Sequence, residues 1–367
     1  MSIPPTQQPG SSARPPAPPA RPAPQGSAPS ASGPSASGPG APTQGVQGQA
    51  VQGHGAPARR PGGFAPAARA ISPGDLERSG AIVSTITKVF QSRVVGQENL
   101  RLSLLTALAA GGHVLLESVP GLAKTTAASA LASSITGSFA RIQCTPDLMP
   151  NDIIGTQIFN YGSGTFTTQL GPVHANGVLL DEINRSSAKT QSAMLEAMQE
   201  RQTSIGGVEY RLPDPFMVLA TQNPIEEEGT YVLPEAQMDR FLVKEVLTYP
   251  AASHEVEILE RVASGRQSAP ISAEPVSLDD VRFLQGLVDD VYVDTSIKRY
   301  IVDVINTSRC GGPRPVPGLS AHVRVGASPR GSIALMRVAQ ALAIQSGRSF
   351  VIPDDVKATR HAVLRHR

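Results

Sequence analysis

Tryptophan is absent from the 367 residues, cysteine occurs twice, and all aromatics together reach only 4%. So sparse a supply leaves little from which to build stacking platforms for single-stranded nucleic acid. Cys144 and Cys310 lie far apart, without redox or metal-ligand spacing, and the seven histidines are scattered. Neither a disulfide framework nor a structural metal site is expected, and the pattern suits a reducing cytoplasm. No stretch approaches the roughly eighteen apolar residues needed to span a bilayer. The N-terminus shows no charged segment running into an apolar one, so no signal peptide is expected.

Acids are missing from the first seventy residues. Arg14, Arg21, Arg59, Arg60 and Arg69 stand there against no carboxylate, Phe64 is the lone aromatic, and Pro, Gly, Ser, Ala and Gln dominate. Such a composition cannot bury enough apolar surface to offset the entropy of ordering, so 1–70 reads as a disordered, solvated tail. The whole chain carries +2, and removing those five arginines leaves −3 for the remainder. A mildly acidic body lacks the basic stripe of a dedicated nucleic-acid binder.

What is present begins near Ile71. Ser72-Pro73-Gly74-Asp75 caps a helix expected to reach about Val89. The turn Arg93-Val94-Val95-Gly96-Gln97 precedes a second helix with Leu104, Leu105 and Leu108 at helical spacing. Val114, Leu115 and Leu116 read as a buried strand, Ser118 to Ala123 as a tight loop, and Lys124 as the start of a helix reaching about Ile135. Strand, turn and helix with Lys-Thr in the first turn form a phosphate cradle. The amides of Ser118, Val119, Pro120's neighbours, Gly121, Leu122 and Ala123 face the phosphates, with Thr126 beside them. Lys124 neutralises their charge and the Thr125 hydroxyl serves Mg²⁺. The usual spacing places Gly where Ser118 and Ala123 stand.

A second signal follows. Gly177-Val178-Leu179-Leu180 is an apolar strand ending in Asp181-Glu182. Open α/β sheets bind ligands at that end. After a phosphate loop, the first acid holds the metal's water shell and the second orients the attacking water. Helix 186–202 follows, with Met194, Leu195 and Met198 on one face. Residues 154–170, around Tyr161-Gly162-Ser163-Gly164, and residues 203–210, around Gly206-Gly207, read as hairpins. Strand 216–220 ends in the polar triplet Thr221-Gln222-Asn223. A short helix at 234–242 leads into the last strand, and Arg240 there is either half of an ion pair or a cation offered to a neighbour. Helices are expected near 252–264, 278–291, 294–308, 328–346 and 353–366. Arg330 opens the fourth of these, an unfavourable place for a cation unless an anion is near.

Together these segments resemble the MoxR-type AAA+ ATPases. The resemblance rests on Val119-Pro120-Gly121-Leu122-Ala123-Lys124-Thr125, Thr145-Pro146-Asp147-Leu148, Asp181-Glu182-Ile183-Asn184-Arg185, the run Leu195 to Gln202, Ala220 to Glu226, Leu233 to Phe241, and Ser328-Pro329-Arg330. It covers nearly everything from about residue 75 onward, in order. It implies an α/β fold: a P-loop three-layer αβα AAA+ core at 71–265 with two hairpin inserts, then an all-helical lid at 266–367. Nucleotide is expected in the cleft between core and lid. The activity implied is Mg²⁺-dependent hydrolysis of ATP that drives chaperone-like remodelling of a client protein. A homo-oligomeric ring, a hexamer, and a partner with a von Willebrand factor A domain are implied as well. Asn223 resembles the sensor that positions the lytic water with Glu182, and Arg330 the lid sensor of the γ-phosphate. Arg240 resembles an arginine finger given in trans, with Arg185 and Arg201 as rivals. Val95-Gly96-Gln97 resembles the segment packed near adenine, and the hairpins resemble inserts that contact a client. Ser118 departs from the family's Gly: a positive φ there would be costly, a negative one harmless. A chelatase-type metal-insertion motor and a non-hydrolysing, nucleotide-gated scaffold are the alternatives; a DNA-remodelling motor is disfavoured by the acidic body.

Overall fold

The computed structural model describes residues 69–119, 121–224, 230–265 and 274–367; the tail, Pro120, and Ile225 and Glu226 of the quoted motif lie outside the described residues, save for 69 and 70. Two helices come first, α1 (Pro73–Arg93) and α2 (Glu98–Ala109). The Ser72 hydroxyl accepts from the Asp75 amide while the Asp75 side chain reaches back, a capping box that fixes the start of α1. This helix runs about one turn past its expected end at Val89, and Phe90 in that extra turn is buried in the core.

A sheet-forming stretch follows: β1 (Val114–Glu117), α3 (Lys124–Ser133), β2 (Phe139–Gln143) and the short α4 (Pro150–Ile154). The first hairpin is β3 (Gly155–Asn160) with β4 (Thr165–Leu170). Then come β5 (Gly177–Asp181), a 3₁₀ turn at Ile183–Arg185, and α5 (Ala188–Glu200). The second hairpin, β6 (Gln202–Ile205) and β7 (Val208–Arg211), precedes β8 (Met217–Gln222). The expected helix at 234–242 is only α6 (Glu235–Met238), after which the chain turns into β9 (Val243–Val246). The rest is helical: α7 (Ala252–Ala263), α8 (Leu278–Asp290), α9 (Thr295–Ser308), α10 (Pro329–Gln345) and α11 (Pro353–Leu364).

Five strands form one parallel sheet in the order β2-β5-β8-β1-β9. Successive side chains of a strand point to opposite faces. Val114 and Leu116 therefore join one apolar cluster and Leu115 the other, and Leu179 is separated in the same way from Val178 and Leu180. Burial on both faces explains why these strands read as unbroken apolar runs rather than alternating ones. Met194, Leu195 and Met198 of α5 cover one face. The other is covered by α1, α2 and α3, and its cluster continues without a break into Val281 and Leu284 of α8, Ile301 of α9, Leu335 and Val338 of α10, and Val356 of α11. Each such leucine contributes about 1.5–3 kcal/mol when fully buried.

Polar ties reinforce that junction. The amides of Gln285 and Gln345 donate to the Leu108 carbonyl and the Thr106 hydroxyl, each at 2.9 Å, and Arg337 donates to the Ala110 carbonyl at 3.0 Å. The C-terminal helices are thus packed behind α2. The two hairpins stand off the main sheet as separate two-stranded sheets, joined to each other where Thr168 meets the Tyr210 hydroxyl at 2.9 Å. Among the described residues no helix is long and apolar enough to cross a membrane.

Candidate active site

Because all five strands run in parallel, their C-terminal ends share one edge, and β8 lies between β5 and β1 there. Register places Glu117 opposite Gln222 and Leu180 opposite Ala220. The loop after β1, the acids after β5 and the polar triplet ending β8 are therefore neighbours. The amide of Ser118 donates to the Gln222 carbonyl at 3.2 Å, which fastens the loop to the triplet. Ser118 is buried and is not among the residues of positive φ, so serine is harmless there. Among the described residues of the loop, the left-handed positions are Gly121, at φ 85°, and Ala123, at φ 57°. Ala123 caps the start of α3 without a side-chain bond, and Lys124 points its Nζ back to the Ser118 carbonyl at 3.1 Å.

Two steps away along the edge, Thr125 and Asp181 converge: the Thr125 Oγ1 donates to Asp181 Oδ2 at 3.5 Å. A hydroxyl beside a carboxylate at the end of a phosphate loop is the donor set that suits Mg²⁺. A second observation supports the fit: the Arg141 guanidinium lies 2.6 Å from that same Oδ2, so the oxygen already faces a cation. The other oxygen, Oδ1, accepts from Thr221 Oγ1 at 2.8 Å. Thr221 is fully buried and its oxygen also accepts the Glu182 amide at 2.8 Å. One hydroxyl thus fixes the side chain of the first acid and the backbone of the second. Glu182 needs that support, since it sits in the left-handed region at φ 59°, a strained choice for a side chain with a Cβ. Its Oε2 meets Arg185 Nε at 3.1 Å and accepts from Gln143 Nε2 at 3.2 Å. Asn223, the last of the triplet, is buried, and its carbonyl accepts from the Asn184 amide at 3.3 Å. Burial, first of all, and then the nearby acids push the Cys144 thiol up to about 12, despite Ser186 beside it. It stays protonated, and thiolate chemistry is excluded there.

Beside the loop opens a cleft of about 420 Å³, walled by residues 121–126, by Val94, Val95 and Gln97, and by Pro250, Ile258 and Arg261. Gly96 turns the chain at φ 65°, and a Cβ there would lie 2.7 Å from His254 Nδ1. The Gln97 amide anchors this wall to the Thr248 carbonyl at 3.1 Å. Apolar sides with a polar phosphate end suit a nucleotide.

Arg240 and Arg330 are elsewhere. Among the described residues, none that walls the cleft lies beyond Arg261, so the C-terminal helices contribute no wall to it. Those helices are joined to α2 by the shared apolar cluster. Arg240 and Arg330 instead line a second cleft of about 300 Å³, with Arg201, Arg337 and Arg367. The Nε of Arg240 is buried there without a hydrogen-bond partner. Arg201 is committed to its own chain, donating to the Phe216 carbonyl at 2.9 Å and the Gly111 carbonyl at 2.7 Å. Arg185 stays beside Glu182. Sequence reading missed Arg141 and Gln143, whose alternation in Phe139-Ala140-Arg141-Ile142-Gln143 resembles any strand with a solvated side.

Comparison with known proteins agrees. Residues 113–243 match the ATPase family associated with various cellular activities (AAA), and residues 319–367 match an AAA lid domain. The chain is 45% identical over 311 residues to Chaperone MoxR1 of Mycobacterium tuberculosis, covering 84% of this chain and 82% of that one. It is 47% identical to YeaC of Bacillus subtilis, over 78% of this chain and 86% of that one. A crystal structure from Cytophaga hutchinsonii superimposes with a TM-score of 0.71 at 41% identity, covering 80% of this chain and 89% of that one. On these matches, and on the phosphate loop and paired acids that they span, the chain belongs to the MoxR-type family of AAA+ ATPases.

Proposed function

We propose that this protein hydrolyses ATP to ADP and phosphate in the cytoplasm, as a homo-oligomeric ring that remodels or matures a partner protein. The observation that carries this reading is the single Thr221 hydroxyl bonded to both Asp181 and Glu182 at the rim of the phosphate loop. A structural cap would need one acid; a hydrolytic site needs two with different tasks. Lys124 and the amides of residues 118–123 hold the phosphates. Thr125 and Asp181 are the residues that would hold Mg²⁺, whose charge would offset that of the phosphates. Glu182, kept in place by its backbone bond, accepts a proton from the attacking water, and Asn223 orients that water.

Arg240 and Arg330 line the second cleft and not the one beside the phosphate loop, and both are assigned to a neighbouring subunit's γ-phosphate. An arginine given in trans stabilises charge on the transferring phosphoryl group and is worth about 10³–10⁵ in rate. The exposed aromatics of the first hairpin, Phe159, Tyr161 and Phe166, are assigned to client contact. The name of the Mycobacterium tuberculosis relative supports the chaperone role.

Steady-state ATPase with Glu182→Gln tests the chemistry: turnover falls at least about 10²-fold while labelled ATP still binds. A scaffold without hydrolysis would have no turnover to lose, and that result would refute the proposal. A pull-down with the same trapped variant then identifies the client, a chelatase partner included.

A further inference from the structure

Asp239 is the residue before Arg240, and its carboxylate spends each oxygen on a different part of the C-terminal helical region. Oδ1 lies 2.8 Å from Nε of Arg367, a guanidinium almost wholly enclosed. Oδ2 accepts from Ser328 Oγ at 2.7 Å. Ser328 is the cap of α10, and its Oγ in turn accepts the amide of Arg330 at 3.1 Å. Arg367 completes the knot by donating to the carbonyls of Phe241 at 2.6 Å and Leu242 at 3.3 Å. Asp239, on one side of Arg240, is therefore tied to the turn that carries Arg330, Phe241 and Leu242, on the other, are tied to Arg367, and the two arginines line one cleft. Neither bond is explained by folding of α6, which spans only Glu235–Met238. A carboxylate with both oxygens occupied in a partly enclosed place fixes geometry more tightly than a lone surface pair.

We propose that Asp239 is a positioning residue that locks Arg240 and Arg330 into one rigid pair, presented together to the nucleotide of the adjacent copy of this chain. This rests on the reading that both arginines act in trans. Removing the carboxylate leaves Arg367 enclosed without its counter-charge and frees the start of α10, so the pair loses its spacing. The phosphate loop of the same chain is untouched, and such a subunit remains a competent acceptor of arginines from its neighbour.

Mixing experiments with the full-length chain separate the possibilities. Asp239→Ala alone is expected to lose at least 10-fold in kcat while its affinity for fluorescent ADP stays within two-fold. Mixed with excess Glu182→Gln, which cannot hydrolyse but carries an intact arginine pair, it should regain turnover to within about three-fold of the wild-type chain mixed in the same ratio. Arg240→Ala mixed with Glu182→Gln is the control for action in trans. If Arg240→Ala is rescued and Asp239→Ala is not, the positioning role is wrong and the trans reading stands. If neither is rescued, the trans reading fails and the positioning role falls with it. Wild-type turnover by Asp239→Ala alone also overturns the proposal. Should Asp239→Ala not fold, Ser328→Ala removes one of the two anchors, and it must show the same rescued loss, several-fold in size, or the proposal is refuted.

Discussion

Lowering the pH from 7.5 to 5.5 should weaken this protein by a calculable amount, through two histidines buried in neutral form. His113, just before β1, accepts the Val218 amide at Nδ1, 3.0 Å away, so its proton is on Nε2, which donates to the Met198 carbonyl at 3.3 Å. Burial, then the positive charge of Arg201, push it from 6.5 down to about 3. His366 is likewise held down to about 3, chiefly by burial and next by Arg367, and its Nε2 meets the Phe241 carbonyl at 3.1 Å. A folded value below the unfolded one means that the unfolded chain binds more protons, so stability is whole above 6.5 and falls as pH drops from there toward 3. At pH 5.5 each histidine has cost about 1.4 kcal/mol, and the pair about 3 kcal/mol. His174, also pushed down by burial, adds in the same direction. Carboxylates held low, such as Asp294 at about 2 beside Ser296, unload only at more acid pH and leave this window clean. With an m-value of about 3 kcal/mol/M, the urea midpoint followed by circular dichroism should fall by about 1 M. In His113→Gln the pH-dependent part should shrink by roughly half. Equal midpoints at the two pH values, or an undiminished difference in His113→Gln, would refute the reasoning.

Three further outcomes are expected. Thr221→Val keeps the volume but removes the hydroxyl that serves Asp181 and Glu182, so it should cost about 1–3 kcal/mol in thermal unfolding and at least about tenfold in kcat, with ADP affinity nearly unchanged. Arg141→Gln removes the guanidinium that meets Asp181 at 2.6 Å; as this arginine is half exposed, the competition is worth no more than about 1 kcal/mol, and half-saturating Mg²⁺ in fluorescent ADP binding should drop up to about five-fold. Ala123→Gly relieves a left-handed residue at φ 57° and should leave nucleotide affinity intact while raising stability by up to about 1 kcal/mol, read as a shift in melting temperature.

Much of the candidate site was legible in the chain because its residues lie close together in sequence, in short runs. Lys124 and Thr125 follow their strand directly, and Asp181 and Glu182 close theirs, so apolar runs ending in polar residues marked both. The hairpins announced themselves through glycines that take positive φ, Gly164 and Gly206-Gly207. Helix ends were less legible. Phe90 prolongs α1 because of what it touches, and Asp239, which follows α6, makes bonds to residues about ninety and more positions away. The placement of Arg330 is the clearest case. Its helix was evident, but which side of the sheet that helix covers depends on the facing surfaces of α2, α8 and α10, and no spacing along the chain encodes such a match.

The apolar cluster that runs unbroken from the back of the sheet into α8–α11 has a mechanical corollary. A lid on a slender hinge can flap while its base stays still; a lid whose leucines interdigitate with those of the base cannot, because sliding would open voids throughout the seam. In the ring proposed above, any stroke would therefore be carried by whole subunits pivoting against one another, like staves in a barrel, with little bending inside any one of them.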